Sequence, residues 1–164
     1  MSSLRFAAFD PRPVGAASNA SIIAEANDGA TLLGIEVTIP MLAGSCNLGN
    51  LDHHRPGDTA ETPSATEQAM SSPILPPKGA TVVILKPDCD SIGAAAVLAN
   101  RMAGRPVSLE IVKQIGRFDR LGPAAGRPSD EVIAIGRVAA DTKKPLIDRV
   151  RFAQEVFEGN GNAD

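Results

Sequence analysis

The stretch Ala80 to Leu85 (ATVVIL) constrains this chain more than any other. It is a continuous, mostly apolar run of strand length, without the alternation of a strand that faces water on one side. Such a strand is buried on both faces, as in the middle of a parallel sheet covered by helices. Lys86-Pro87-Asp88-Cys89-Asp90 then forms a loop at its carboxyl end. Ser91, or else Asp88 or Asp90, is a candidate cap for a helix through Ala94, Ala95, Ala96, Val97 and Leu98 to about Ala103, with Gly104 as the residue just past its end. Strand, loop and helix together are the half-unit of an open α/β sheet. A chain of 164 residues is long enough for one such domain and too short for two. The expected fold is therefore α/β, an open and mostly parallel sheet with flanking helices, in a single domain over residues 1–164.

The rest of the chain supplies the other elements. Leu4 to Phe9 reads as a short strand ending at Asp10, and Pro11 and Pro13 punctuate the chain after it. Ala20 to Asn27 fits a short helix or a strand. Ala30 to Met41 (ATLLGIEVTIPM) is rich in β-branched residues and reads as one or two strands. Gly44 to Asn50 is a loop leading into an Asp-His-His block over residues 51–70. Within that block, Ser64-Ala65-Thr66-Glu67 has the capping-box pattern, which predicts a short helix to about Met70. Val107 to Gln114 fits a strand or part of a helix. Ser129-Asp130-Glu131 starts a helix to about Ala140, and Pro145 starts a C-terminal amphipathic helix ending near Gly159.

Composition removes several functions. The net charge is −3, with no Trp, no Tyr and five Phe. A basic footprint for duplex nucleic acid is absent, and so are most of the aromatic platforms on which single strands stack. No apolar stretch spans a bilayer. Residues 1–10 lack the basic start and apolar run of a signal peptide. Two cysteines, Cys46 and Cys89, make neither a disulfide framework nor a zinc quartet. The expectation is a cytoplasmic protein without a membrane partner.

Chemistry concentrates in two places. His53 and His54 are the only histidines, adjacent and directly after Asp52. One hard oxygen and two imidazoles suit Mn²⁺, Fe²⁺ or Zn²⁺. Side chains of neighbours on extended backbone point opposite ways, so one His is expected to hold metal while the other faces substrate. Asp88 and Asp90 stand at the carboxyl end of a buried strand, where ligands bind in open α/β sheets. Two carboxylates there repel each other unless a cation neutralises them. Asp10 and Asp119 are candidates to complete a metal site. Arg55, Lys86, Arg117 and Arg120 are candidate phosphate contacts. Cys89 offers a thiol to a softer metal or packs as a buried hydrophobe.

The pair of blocks resembles the DHH phosphoesterase superfamily. The family's first motif is a strand, Asn-Pro-Asp-x-Asp, small residues and a helix; here it reads Lys86-Pro87-Asp88-Cys89-Asp90-Ser91-Ile92-Gly93-Ala94-Ala95. Its Asp-His-His motif reads Leu51-Asp52-His53-His54-Arg55, with a Ser/Thr helix start at Ser64 to Glu67. In the family the Asp-x-Asp motif comes first; here it comes second, so the resemblance implies a circular permutation. The histidine that many members carry before the first motif falls on Ile84, the family Asn is Lys86, and the second, substrate-binding domain has no counterpart.

The resemblance implies a metal-dependent phosphohydrolase acting on a small phosphodiester, nucleotide or pyrophosphate. Mn²⁺ is the expected ion and Mg²⁺ the alternative. His53, Asp88 and Asp90, with Asp10 or Asp119, would hold it. His54 would contact the phosphate or move a proton, and Asp52 would orient a histidine. Arg55, Lys86 and Arg117 would bind phosphate. The competing expectation is a non-catalytic nucleotide- or metal-binding module in a regulatory or oligomeric assembly. A homo-oligomer fits either reading, because a truncated sheet leaves an edge or apolar face uncovered.

Overall fold

The computed structural model describes residues 4–10 and 15–159. Four parallel strands make one sheet in the order β1-β4-β2-β3: β1 Arg5–Ala8, β2 Leu32–Ile35, β3 Asn50–Leu51 and β4 Thr81–Ile84. Helices flank the sheet: α1 Ala16–Asn27, α2 Pro40–Ser45, α3 Ala65–Ser71, α4 Cys89–Met102, α5 Leu109–Leu121, α6 Asp130–Ala140 and α7 Leu146–Phe157. This is the expected α/β architecture. Among the described residues no helix is long and apolar enough to cross a membrane.

The apolar run centred on β4 lies in the middle of the sheet, paired to β1 at Ala8↔Ile84 and to β2 at Ile35↔Ile84. Its alternate side chains serve two cores. Val82 and Ile84 join Leu33 and Ile35 on one face, under the helices from α3 onward. Val83 joins Leu32, Ile22 and Leu42 on the other, under α1 and α2. Both faces are covered, which is why the strand has no polar side.

Several local expectations shift. The segment 30–41 is a strand only at Leu32–Ile35, and a helix begins at Pro40, whose fixed φ suits the first helical position. Residues 16–27 are helix, and 109–121 are helix rather than strand. The cap of α4 is Asp88, not Ser91. Asp88 accepts the backbone N–H of Ser91 at 2.9 Å, and the Ser91 hydroxyl oxygen accepts the N–H of Asp88, also at 2.9 Å. The box at the start of α3 forms as the sequence pattern predicts, with Ser64 and Glu67 reciprocally bonded. The punctuation expected at Pro11 and Pro13 lies outside the described residues.

The order of the strands positions the site. The chain runs from β1 through α1 to β2, through α2 to β3, and then returns through α3 to place β4 between β1 and β2. The helix after β2 covers one face and the helix after β4 covers the other. Neighbouring strands whose connections leave to opposite faces open a crevice at their carboxyl ends, the usual ligand position in such sheets. Glu36 follows β2 and Asp88 to Asp90 follow β4, so these carboxylates face one another across the crevice.

Candidate metal centre

Four side chains from four segments meet there. Ligand atoms of Glu36, His53, Asp90 and Asp119 lie within 4.8 Å of one another, and Glu36, His53 and His54 form an overlapping set of the same compactness. The Nε2 of His53 stands 3.0 Å from Glu36 Oε1, 2.9 Å from Asp119 Oδ2 and 3.9 Å from Asp90 Oδ2. A neutral ring nitrogen carries at most one hydrogen, so it cannot satisfy two carboxylates as a donor. Oxygens and nitrogens about 2.0–2.2 Å from a first-row ion stand roughly 3–4 Å from one another. The spacing and the hard O/N donor set therefore fit a divalent metal.

Asp90 is the most firmly anchored of the four candidate ligands. Asp90 is 1 % exposed, in the first turn of α4. Its two oxygens accept the backbone N–H groups of Ala65 at 2.8 Å and Thr66 at 2.9 Å, and the Thr66 hydroxyl donates to the Asp90 carbonyl at 2.8 Å. Gly93 allows this approach of α3 to α4, because a Cβ there would sit 2.7 Å from Thr66 Oγ1. Asp119 lies on the inward face of α5, the face that buries Ile111, Val112, Ile115 and Gly116. Glu36, 7 % exposed, takes a left-handed backbone at φ 52°, the one non-glycine to do so among the described residues.

The charge balance is unfavourable without a cation. Burial, then the charges of Asp88, Asp90, Asp119 and Asp52, push the Glu36 carboxyl up to about 9. Burial and then Asp90 push Asp119 up to about 6, against the opposing pull of His53. A proton on Glu36 relieves part of this repulsion, and a metal ion would neutralise several of the oxygens at once.

The remaining candidates divide. Asp88 stands next to the cluster and caps α4. Asp52, buried, accepts both the backbone N–H of His54 at 3.0 Å and its Nδ1 at 2.9 Å through one oxygen. The two histidine rings do not diverge as extended backbone would have them; their centroids are 4.3 Å apart. The His53 side chain is 10 % exposed and that of His54 52 %. Asp10 lies two residues past the end of β1, on the far side of β4; its backbone is tied to the Asn19 amide, and it is not one of the clustered candidate ligands.

Arg55 donates to the Asn50 carbonyl at 2.7 Å. Arg120 is engaged by Glu67 through both carboxylate oxygens and by the Ala60 carbonyl. Arg117 lines an open cleft on the outward face of α5, away from Asp119. Lys86 sits in the loop directly after β4. Cys89 packs beside the Val132 carbonyl, and burial with the neighbouring aspartates pushes its thiol up to about 12, so it stays protonated.

Sequence reasoning did not find Glu36. Its one signal is a lone charge inside an apolar segment, Leu32-Leu33-Gly34-Ile35-Glu36-Val37, which is costly to bury without a partner. Compared with models of protein families, with curated proteins and with solved structures, the chain matches none.

Proposed function

We propose that the chain is a metal-dependent phosphohydrolase, a permuted relative of the DHH phosphoesterases, acting on a small phosphodiester, nucleotide or pyrophosphate with Mn²⁺ as its ion. The observation that carries this reading is the convergence of Glu36, His53, Asp90 and Asp119 at the carboxyl ends of parallel strands. These four residues would hold the metal. When bound, such an ion lowers the pKa of a water and attracts phosphoryl oxygens.

The chain's own groups do the rest. Asp52 takes the hydrogen of His54 Nδ1, which fixes the ring and leaves Nε2 as the basic nitrogen. His54 is half exposed beside the cluster, so Nε2 is placed to accept a proton or, once protonated, to hold a phosphoryl oxygen. Lys86 offers a point charge from the adjoining loop. A net charge of −3 favours a short substrate over a long polyanion.

The occupation of Arg55 and Arg120 by protein acceptors favours a second reading, a module that binds metal or nucleotide without turnover. Incubating the purified protein and Mn²⁺ with bis(p-nitrophenyl) phosphate, a dinucleotide and inorganic pyrophosphate separates the two. Product that depends on Mn²⁺ and drops at least tenfold in His54→Ala supports hydrolysis. Metal binding with no product from any of the three leaves the binding module.

A further inference from the structure

We propose that Asn50 is the positioning residue for Glu36, and that it couples the two halves of the metal centre. The proposal rests on Glu36 being a metal ligand. Pairing of β2 with β3 ends at Glu36, whose N–H donates to the Leu51 carbonyl at 2.8 Å. At that residue the backbone turns left-handed, at φ 52°. For a residue with a Cβ this conformation is disfavoured by about 5- to 30-fold in population. Something must hold it.

The next residue is held on both sides. The Asn50 Oδ1 accepts the Val37 N–H at 3.1 Å, and its Nδ2 donates to the Val37 carbonyl at 2.9 Å. A planar side-chain amide thus bonds one residue's N–H and C=O together, as a neighbouring strand would, beyond the point where backbone pairing stops. The surroundings are shaped for it. Gly34 has no side chain, and a Cβ there would lie 2.6 Å from Asn50 Oδ1. Asn50 is itself fixed by Arg55, which donates to its carbonyl at 2.7 Å. Arg55 thereby belongs to the scaffold of the site.

Asn50 also begins the segment that delivers His53, whose Nε2 is 3.0 Å from Glu36 Oε1. One short stretch, residues 50–53, therefore supplies one ligand and fixes the backbone behind another. Without the clamp, the turn at Glu36 is free to relax, and only a fraction of molecules keeps the carboxylate in place. Apparent affinity falls by that fraction.

The test is Mn²⁺ binding by titration calorimetry, with thermal unfolding as the check on folding. Asn50→Ala should weaken Mn²⁺ binding about 5- to 30-fold in the otherwise native protein. In a Glu36→Ala background, where the positioned ligand is already lost, the same substitution should change binding less than twofold. A purely structural role would lower affinity equally in both backgrounds. If Asn50→Ala does not fold, Asn50→Ser, too short to reach both Val37 groups, carries the same expectation. Equal losses in the two backgrounds, or native affinity in a folded Asn50 variant, overturn the proposal. No Mn²⁺ binding by the wild type would instead overturn the metal-site reading on which it rests.

Discussion

In the metal-free protein, stability should fall as pH rises from 5 to 8, and Glu36 should be the main cause. Its carboxyl is raised from 4.5 in the unfolded chain to about 9 in the folded one, first by burial and then by the surrounding aspartates. Between those values the folded state holds a proton that the unfolded state has released. The contribution is complete below the unfolded value, and stability is lost as pH climbs toward the folded one. Each pH unit inside the window costs up to about 1.4 kcal/mol. Three units, from pH 5 to 8, set a ceiling of about 4 kcal/mol, a large share of the roughly 5–15 kcal/mol that holds a domain together. Asp119, raised from 3.8 to about 6, adds to the loss at the acidic end of the same range.

The assay is urea unfolding followed by circular dichroism, in EDTA at constant ionic strength, at each pH. Glu36→Gln keeps the shape of the protonated side chain and cannot ionise. It should match the wild type near pH 5, exceed it at pH 8, and depend on pH much less. Saturating Mn²⁺ should flatten or reverse the wild-type trend, because the ion takes the place of the proton. Wild-type stability that is constant or rises from pH 5 to 8 in EDTA would rule out a proton held on Glu36 as the cause.

Asp90→Asn, measured at pH 5 where Glu36 and Asp119 hold protons, should lower stability by about 1–3 kcal/mol, because one of two buried N–H groups at the start of α3 then meets an amide NH₂. Gly116→Ala would place a Cβ 2.5 Å from Glu67 Oε2, which Ser64 and Arg120 pin in place. The overpacking, about 1–3 kcal/mol, should outweigh the helix-propensity gain of about 1 kcal/mol, giving a lower Tm and weaker Mn²⁺ binding through displaced Asp119. Ser64→Ala should cost about 1 kcal/mol in chemical denaturation, from the lost cap of α3.

The fold was legible where one physical requirement dominates a segment. A strand buried on both faces leaves no polar alternation, so Thr81–Ile84 and the helix behind it could be read directly. The Ser64–Glu67 box and the start at Pro145 are local hydrogen-bond and dihedral rules, and both elements begin where those rules place them. Residues 30–41 were less legible, because β-branched composition does not reveal that a strand of four residues ends and a helix begins at Pro40.

The site was partly legible for the same reason. Asp88, Asp90, His53 and His54 stood out by type and by position after a strand. Asp119 could be named, but its inward face depends on α5 being a helix, which residues 107–114 did not settle. Glu36 was missed because its role depends on strand order. Only when β4 is inserted beside β2 do the ends of those strands share a crevice. The roles of Arg117 and Arg120 likewise follow from helix faces and from Glu67, which residue type alone does not reveal.

The functional reading of the site rests first on Glu36, His53, Asp90 and Asp119 holding one divalent ion. Crystals grown with Mn²⁺ and measured for anomalous scattering would decide that. A strong anomalous peak is expected among these four side chains, absent in crystals of His53→Ala grown the same way. Ordered, wild-type crystals in Mn²⁺ with no peak there, or with a peak that survives loss of His53, would mean that these residues are not its ligands.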